Sequence, residues 1–123
     1  MGAQPDGGRK LKLICAIVKT EKIDDLRQKL FEMGAPGITV QNVMGIGKPL
    51  GHLRYSESHG FIPKFFAGTR VEIVAEDEQV DEIVDTITSV CRTGDVGDGK
   101  VFVWPVERVV RVRTGEKGKD ALY

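Results

Sequence analysis

Three segments of this 123-residue chain carry residues whose types and spacing suit chemistry. The first is Thr93-Gly94-Asp95-Val96-Gly97-Asp98-Gly99-Lys100. Its three glycines can turn backbone N–H groups toward a phosphate, and the lysine supplies positive charge. Gly94, four residues, Gly99 and Lys100 nearly spell a Walker A loop. Val101, however, stands where a Ser or Thr must hold magnesium, and the segment leads into a strand pattern, not a helix. It is therefore not a P-loop. Spacing alone leaves two readings open, a phosphate cradle and a plain glycine turn.

The second segment carries Arg108, Arg111 and Arg113. In an extended chain Arg111 and Arg113 share a face, and two guanidinium forks there suit a phosphate or a carboxylate. The alternative is a solvated edge strand guarded by charge. The third segment holds His52, Arg54, Tyr55, Glu57, Ser58 and His59 within a long irregular stretch. The two histidines and Glu57 match no regular metal spacing. A loop that recognises a partner is the better reading, with plain disorder beside it. No Ser-His-Asp set, Cys-His set or paired-carboxylate motif stands out. The only enzymatic reading left is hydrolysis of a nucleotide.

The elements that must position these residues follow from periodicity. Lys10 to Lys19 has a continuous apolar centre and reads as a buried strand. Thr20 can cap a helix in which Ile23, Leu26, Leu30 and Phe31 form the apolar face. Gly34-Ala35-Pro36-Gly37 stops it, and Ile38 to Val43 alternates as a half-buried strand. From Gly45 to Gly60 no period survives, so a long loop is expected. Arg70 to Ala75 alternates as a strand, with Phe61-Ile62-Pro63 left between loop and strand. A second helix is expected over Asp77 to Cys91, with Val80, Ile83, Val84, Ile87 and Cys91 on one face. Lys100 to Val106 is the next strand, and Arg108 to Thr114 is a further extended segment.

That order gives two βαβ-like halves. It predicts an α+β, ferredoxin-like βαββαβ sandwich with both helices on one face of a four-stranded antiparallel sheet. The other sheet face also carries apolar residues, and self-association is the simplest cover. A Gly-rich tail at 1–10 is expected to be disordered, followed by one domain at 11–123.

Composition narrows the function classes. Eighteen basic residues balance eighteen acidic ones, which excludes bulk attraction to nucleic acid or anionic lipid. The neutral total hides a segregation. Residues 76–85 carry six acids and no base, while residues 100–123 carry six bases against three acids. No apolar run reaches membrane-spanning length, so no membrane insertion is expected. Cys15 and Cys91 read as small buried hydrophobes in a reducing, cytoplasmic setting, with a disulfide between them left open.

With the glycine loop and arginine segment in view, the chain resembles the PII family of trimeric signalling proteins. The stretch TGDVGDGKVFVWPVERVVRVRTGEKGKDAL (93–122) carries that resemblance most specifically. The N-terminal half agrees through its AIVK strand, its amphipathic helix, a GITV strand, a G-x-G and a GH pair. The resemblance implies a homotrimer with adenine-nucleotide sites (ATP, ADP or AMP) in the clefts between subunits. In the family, ATP with magnesium supports 2-oxoglutarate binding, and a long T-loop, here at about 46–62, then engages partners such as transporters or enzymes.

Carried onto matching positions, Gly97, Asp98, Gly99 and Lys100 would hold the phosphates, and Arg111 and Arg113 would reach them from a neighbouring subunit. Gly37, Ile38 and Thr39, with Ile17, Glu72 and Val74, would frame the adenosine. Gly45, Gly47 and Lys48 would lie at the loop base, and Gly51, His52, Arg54, Tyr55, Glu57 and His59 would meet the partner.

Three positions depart from the family pattern. Pro49 stands where the family has a glutamine that helps hold magnesium and 2-oxoglutarate. Phe61 replaces a tyrosine that some relatives have uridylylated, and Gly68 replaces a lysine that contacts the oxo-acid. These changes imply a PII-like regulator that keeps the nucleotide, with magnesium left open, and has lost ordinary 2-oxoglutarate sensing. Bicarbonate or another small anion would then be the second ligand. The alternative is an ordinary nitrogen-regulatory PII protein with altered partner choice.

Overall fold

The computed structural model describes residues 10–47 and 64–123. The chain runs β1 (Leu11–Val18), α1 (Ile23–Glu32), β2 (Thr39–Gly47), β3 (Lys64–Glu76), α2 (Val80–Cys91) and β4 (Lys100–Val106). Short 3-10 turns precede both helices, at Thr20–Lys22 and Asp77–Gln79, and a third spans Gly118–Ala121. The sheet order is β2-β3-β1-β4, and every neighbouring pair is antiparallel. This is the expected ferredoxin-like βαββαβ topology.

The strand with the longest apolar run takes a central place. β1 alternates between two environments, and its apolar run serves both. Ile14, Ala16 and Val18 join Val71, Ile73 and Ala75 of β3 beneath the helices. Leu26 and Leu30 of α1, and Ile83, Ile87 and Cys91 of α2, close that core from above. Leu11, Leu13, Cys15 and Ile17 face the opposite side of the sheet, each paired in register with β4 and β3.

Several expectations change at the element ends. Phe31 is 83% exposed and is not part of the helix stripe. It follows Leu30 directly and so lies about 100° around the helix from it, beyond the buried face. Met33 packs against the core there instead. Thr20 does not cap α1: its hydroxyl pairs with that of Thr69 at 2.9 Å. The second helix begins at Val80, after a 3-10 turn closed by a reciprocal capping box between Glu76 and Gln79.

The β2–β3 hairpin is longer than periodicity indicated. Gly45, Ile46 and Gly47 continue β2 and pair with Phe66, Phe65 and Lys64. β2 thus reaches Gly47 and β3 begins at Lys64, while Phe61-Ile62-Pro63 and the rest of the expected loop lie outside the described residues. Gly45 is glycine for a local reason, since an added Cβ would sit 2.7 Å from the Phe66 ring. At the N-terminus, Lys10 is tied down, not free: its carbonyl accepts the Asp77 N–H at 3.1 Å. The rest of the expected tail lies outside the described residues.

The arginine segment is not a strand. Only an isolated bridge, Val110 to Lys117, forms there. The chain turns back through Gly115, whose φ is +76°, with Gly115 N–H donating to the Arg111 carbonyl at 2.8 Å. Arg111 and Arg113 therefore do not share a face through strand geometry. Both cysteines are buried and free, Cys15 on the sheet face away from the helices and Cys91 at the end of α2 facing the core.

Candidate functional site

The glycine loop joins α2 to β4 and lies against the end of β1. Gly94, Gly97 and Gly99 all have positive φ, a backbone region that disfavours side chains. Gly99 is the most constrained. An added Cβ would fall 1.6 Å from the Ile17 carbonyl oxygen, so no side chain fits. Here the loop backbone presses directly onto β1, and Lys100 then pairs with Ile17 as β4 begins.

The loop is closed by one carboxylate. Asp98 accepts the Thr93 N–H at 2.8 Å, the Gly94 N–H at 2.9 Å and the Thr93 hydroxyl. The Lys19 ammonium, at the end of β1, stands 3.2 Å from the same carboxylate and 3.1 Å from the Thr93 hydroxyl. The Thr93 hydroxyl first, and then the two backbone donors and Lys19, hold the Asp98 carboxyl well below the usual carboxylate range. It stays ionised at neutral pH.

The sheet face away from the helices continues the site. Adjacent pairing places Gln41, Arg70, Ile17 and Lys100 in one row across the four strands. The next row is Thr39, Glu72, Cys15 and Phe102, and Val74, Leu13 and Trp104 follow. Arg70 bonds the Glu72 carboxylate at 2.9 Å, while its buried Nε has no partner among the described residues. Phe102 and Trp104 remain substantially exposed on this face.

Five expected residues, Ile17, Thr39, Glu72, Val74 and Lys100, thus share one face, with Gly97 and Gly99 at its edge. Gly37 is exposed just before β2, and an added Cβ there would touch nothing within 4 Å. The Ile38 side chain packs against the core, so only its backbone is offered outward. Gly45 and Gly47 lie at the far end of β2, and Lys48 with Gly51, His52, Arg54, Tyr55, Glu57 and His59 lies outside the described residues.

Arg111 and Arg113 are not brought to the loop within the chain. The Arg111 guanidinium is engaged by the Glu116 carboxylate, by the Asp120 carbonyl at 2.9 Å and by the Tyr123 carbonyl. Arg113 is exposed and has no hydrogen-bonding partner among the described residues. Sequence reasoning missed Lys19 and Thr93 as site residues. The signal for Thr93 was its place five residues before an aspartate at a glycine-rich turn, a spacing at which a carboxylate can reach back to free N–H groups.

What the arrangement can do is bind an anion. The N–H groups of Gly97 and Gly99 have no acceptor among the described residues, and Lys100 is exposed beside them. Positive-φ glycines with free N–H groups beside an ammonium fit a phosphate. The apolar and amide-bearing surface next to them fits a flat heterocycle.

Comparison with known proteins agrees in family and fold. The family model described as "Nitrogen regulatory protein P-II" matches residues 11–116. The chain is 43% identical over 112 residues to the "Nitrogen regulatory protein P-II" of Pasteurella multocida, covering 91% of this chain and 100% of that protein. It is likewise 43% identical to "Nitrogen regulatory protein P-II 1" of Escherichia coli K12, with the same coverage. Among solved structures it resembles Arabidopsis thaliana PII bound to citrate, with TM-score 0.74 and 38% identity over 92% of each chain. It also resembles the B. subtilis GlnK-ATP complex, with TM-score 0.78 and 27% identity over 92% of this chain and 96% of that one.

Proposed function

This chain belongs to the nitrogen regulatory protein P-II family, and on that premise we propose that it is a homotrimer that binds an adenine nucleotide and regulates a partner through residues at about 46–62. The family is one of regulatory signalling proteins, not enzymes, so the hydrolysing alternative is set aside. The observation that carries the reading is the glycine loop seated on the end of β1, with Lys100 beside it and two N–H groups without an acceptor among the described residues. A relative of the same fold forms a complex with ATP. ATP, ADP or AMP is the expected ligand.

The open sheet face supports the trimer. Leu13, Ile17 and Val74 are half-buried there, and Phe102 and Trp104 are exposed beside them. A contiguous apolar sheet face needs covering. In the trimer Arg111 and Arg113 reach the phosphates of an adjacent subunit. No helix among the described residues is long and apolar enough to cross a membrane.

The second ligand is not ordinary 2-oxoglutarate in this reading, but bicarbonate or another small anion. Gly68 supports this. A Cβ at that position would sit 3.0 Å from the Val18 carbonyl, tighter than nine in ten real contacts, so that the neighbour would have to give by a few tenths of an ångström. The strand here is tight for a side chain at the position where the family pattern has lysine. The second reading is an ordinary nitrogen regulator that pairs nucleotide with 2-oxoglutarate. Titration calorimetry with ATP, ADP and AMP, each with magnesium and either 2-oxoglutarate or bicarbonate, separates the two. Strong 2-oxoglutarate synergy with magnesium and ATP would establish the second reading and remove the first.

A further inference from the structure

We propose that Lys19, Thr93 and Asp98 form a clasp that holds the glycine loop on β1 in the shape that receives a phosphate. The proposal rests on the nucleotide reading of that loop. Family resemblance groups Asp98 with the phosphate-holding residues, but its carboxylate is already committed. It accepts two backbone N–H groups, one hydroxyl and the Lys19 ammonium. An ionised carboxylate offers only acceptors, and a phosphate needs donors. The Asp98 side chain therefore acts through the loop. It is a positioning residue.

Lys19 supplies what the internal bonds cannot. Asp98, Thr93 and Gly94 close the loop on itself, and that closure alone does not fix where the loop sits. Lys19 stands at the end of β1, and its ammonium engages both Asp98 and Thr93. Gly99 pressed on the Ile17 carbonyl gives the second attachment. The two contacts bracket Gly97, at φ +100°, whose prospective Cβ lies 3.8 Å from Lys19 Cε. N–H groups fixed before the ligand arrives avoid the ordering cost of binding.

Lys19→Met removes one of the loop's two attachments to β1 while leaving its internal bonds and the Gly99 contact, and Asp98→Asn weakens the internal closure. Two readouts are taken on each variant: ATP binding by calorimetry, and amide NMR shifts of residues 94–99 without nucleotide. Both variants are expected to bind ATP about ten-fold more weakly and to show altered loop amides before ATP is added. Lys19→Arg is expected to recover most of the affinity. Should Asp98→Asn fail to fold, Thr93→Val removes the hydroxyl alone and carries the same test. Unchanged ATP affinity in both variants overturns the proposal. So does weakened affinity with wild-type loop amides, because Asp98 would then touch the ligand or its cation directly. If the wild type binds no ATP, the nucleotide reading falls, and the clasp is judged by the amide shifts alone.

Discussion

Gly99 and Gly37 are the same residue type under different constraints. Gly99 has φ +100° and no room for a Cβ, so Gly99→Ala is expected to cost about 2 kcal/mol or more of stability, read by urea unfolding. Gly37 has ordinary backbone geometry and open space around it. Gly37→Ala should therefore leave stability within about 0.5 kcal/mol and still weaken ATP binding if the ligand takes that space. Equal loss of stability in both variants would contradict the distinction. Asp98 sets a pH dependence at the same scale. Its folded carboxyl titrates below the ordinary value of about 3.9. Its stabilising contribution is thus full above that ordinary value and is lost as pH falls toward the depressed one. Asp98→Asn should accordingly lower stability at pH 6 and converge with the wild type in strong acid. A parallel offset at all pH values would exclude the carboxylate as the cause.

At the element scale, the two helices show what periodicity conveys and where it stops. Ile83, Ile87 and Cys91 are buried, with Val80 and Val84 packed beside them, as their spacing indicates. In α1, Leu26 and Leu30 are buried while Phe31 is exposed, because one residue's rotation carries it off the stripe. Leu26→Ala should cost about 2–5 kcal/mol and Phe31→Ser less than about 0.5, compared by thermal and chemical unfolding. Equal costs would put Phe31 in the core after all. The β2–β3 hairpin was only partly legible. Its glycines read as loop punctuation, yet Gly45 is a strand residue lying under the Phe66 ring. RVVRVRT misled in the opposite direction. It alternates like a strand, but among the described residues it forms only an isolated bridge, and Arg111 holds a turn with Glu116 and the chain end instead. Alternation states which side chains share a face once a partner exists, and the partner is a tertiary fact.

At the scale of the whole molecule, the neutral charge total is the sum of an acidic helix surface and a basic C-terminal segment. The glycine loop was legible from its residue types, whereas its seat on β1 depended on the sheet order. Lys19 and Asp98 are far apart in sequence and meet only because β1 lies next to β4. The subunit also presents Phe102 and Trp104 on a sheet face without helices. Trp104→Glu is expected to shift the protein from trimer to monomer in analytical ultracentrifugation. A trimer unaffected by that charge would place the interface elsewhere.

The central claim is that the glycine loop and Lys100 hold the phosphates of an adenine nucleotide. It is tested most directly by calorimetric titration of ATP into the wild type and into Lys100→Ala. The account predicts saturable binding at about one nucleotide per chain in the wild type, and affinity at least ten-fold lower in the variant, or about 1.4 kcal/mol. Equal affinity in the two proteins, or no binding to the wild type, would contradict it.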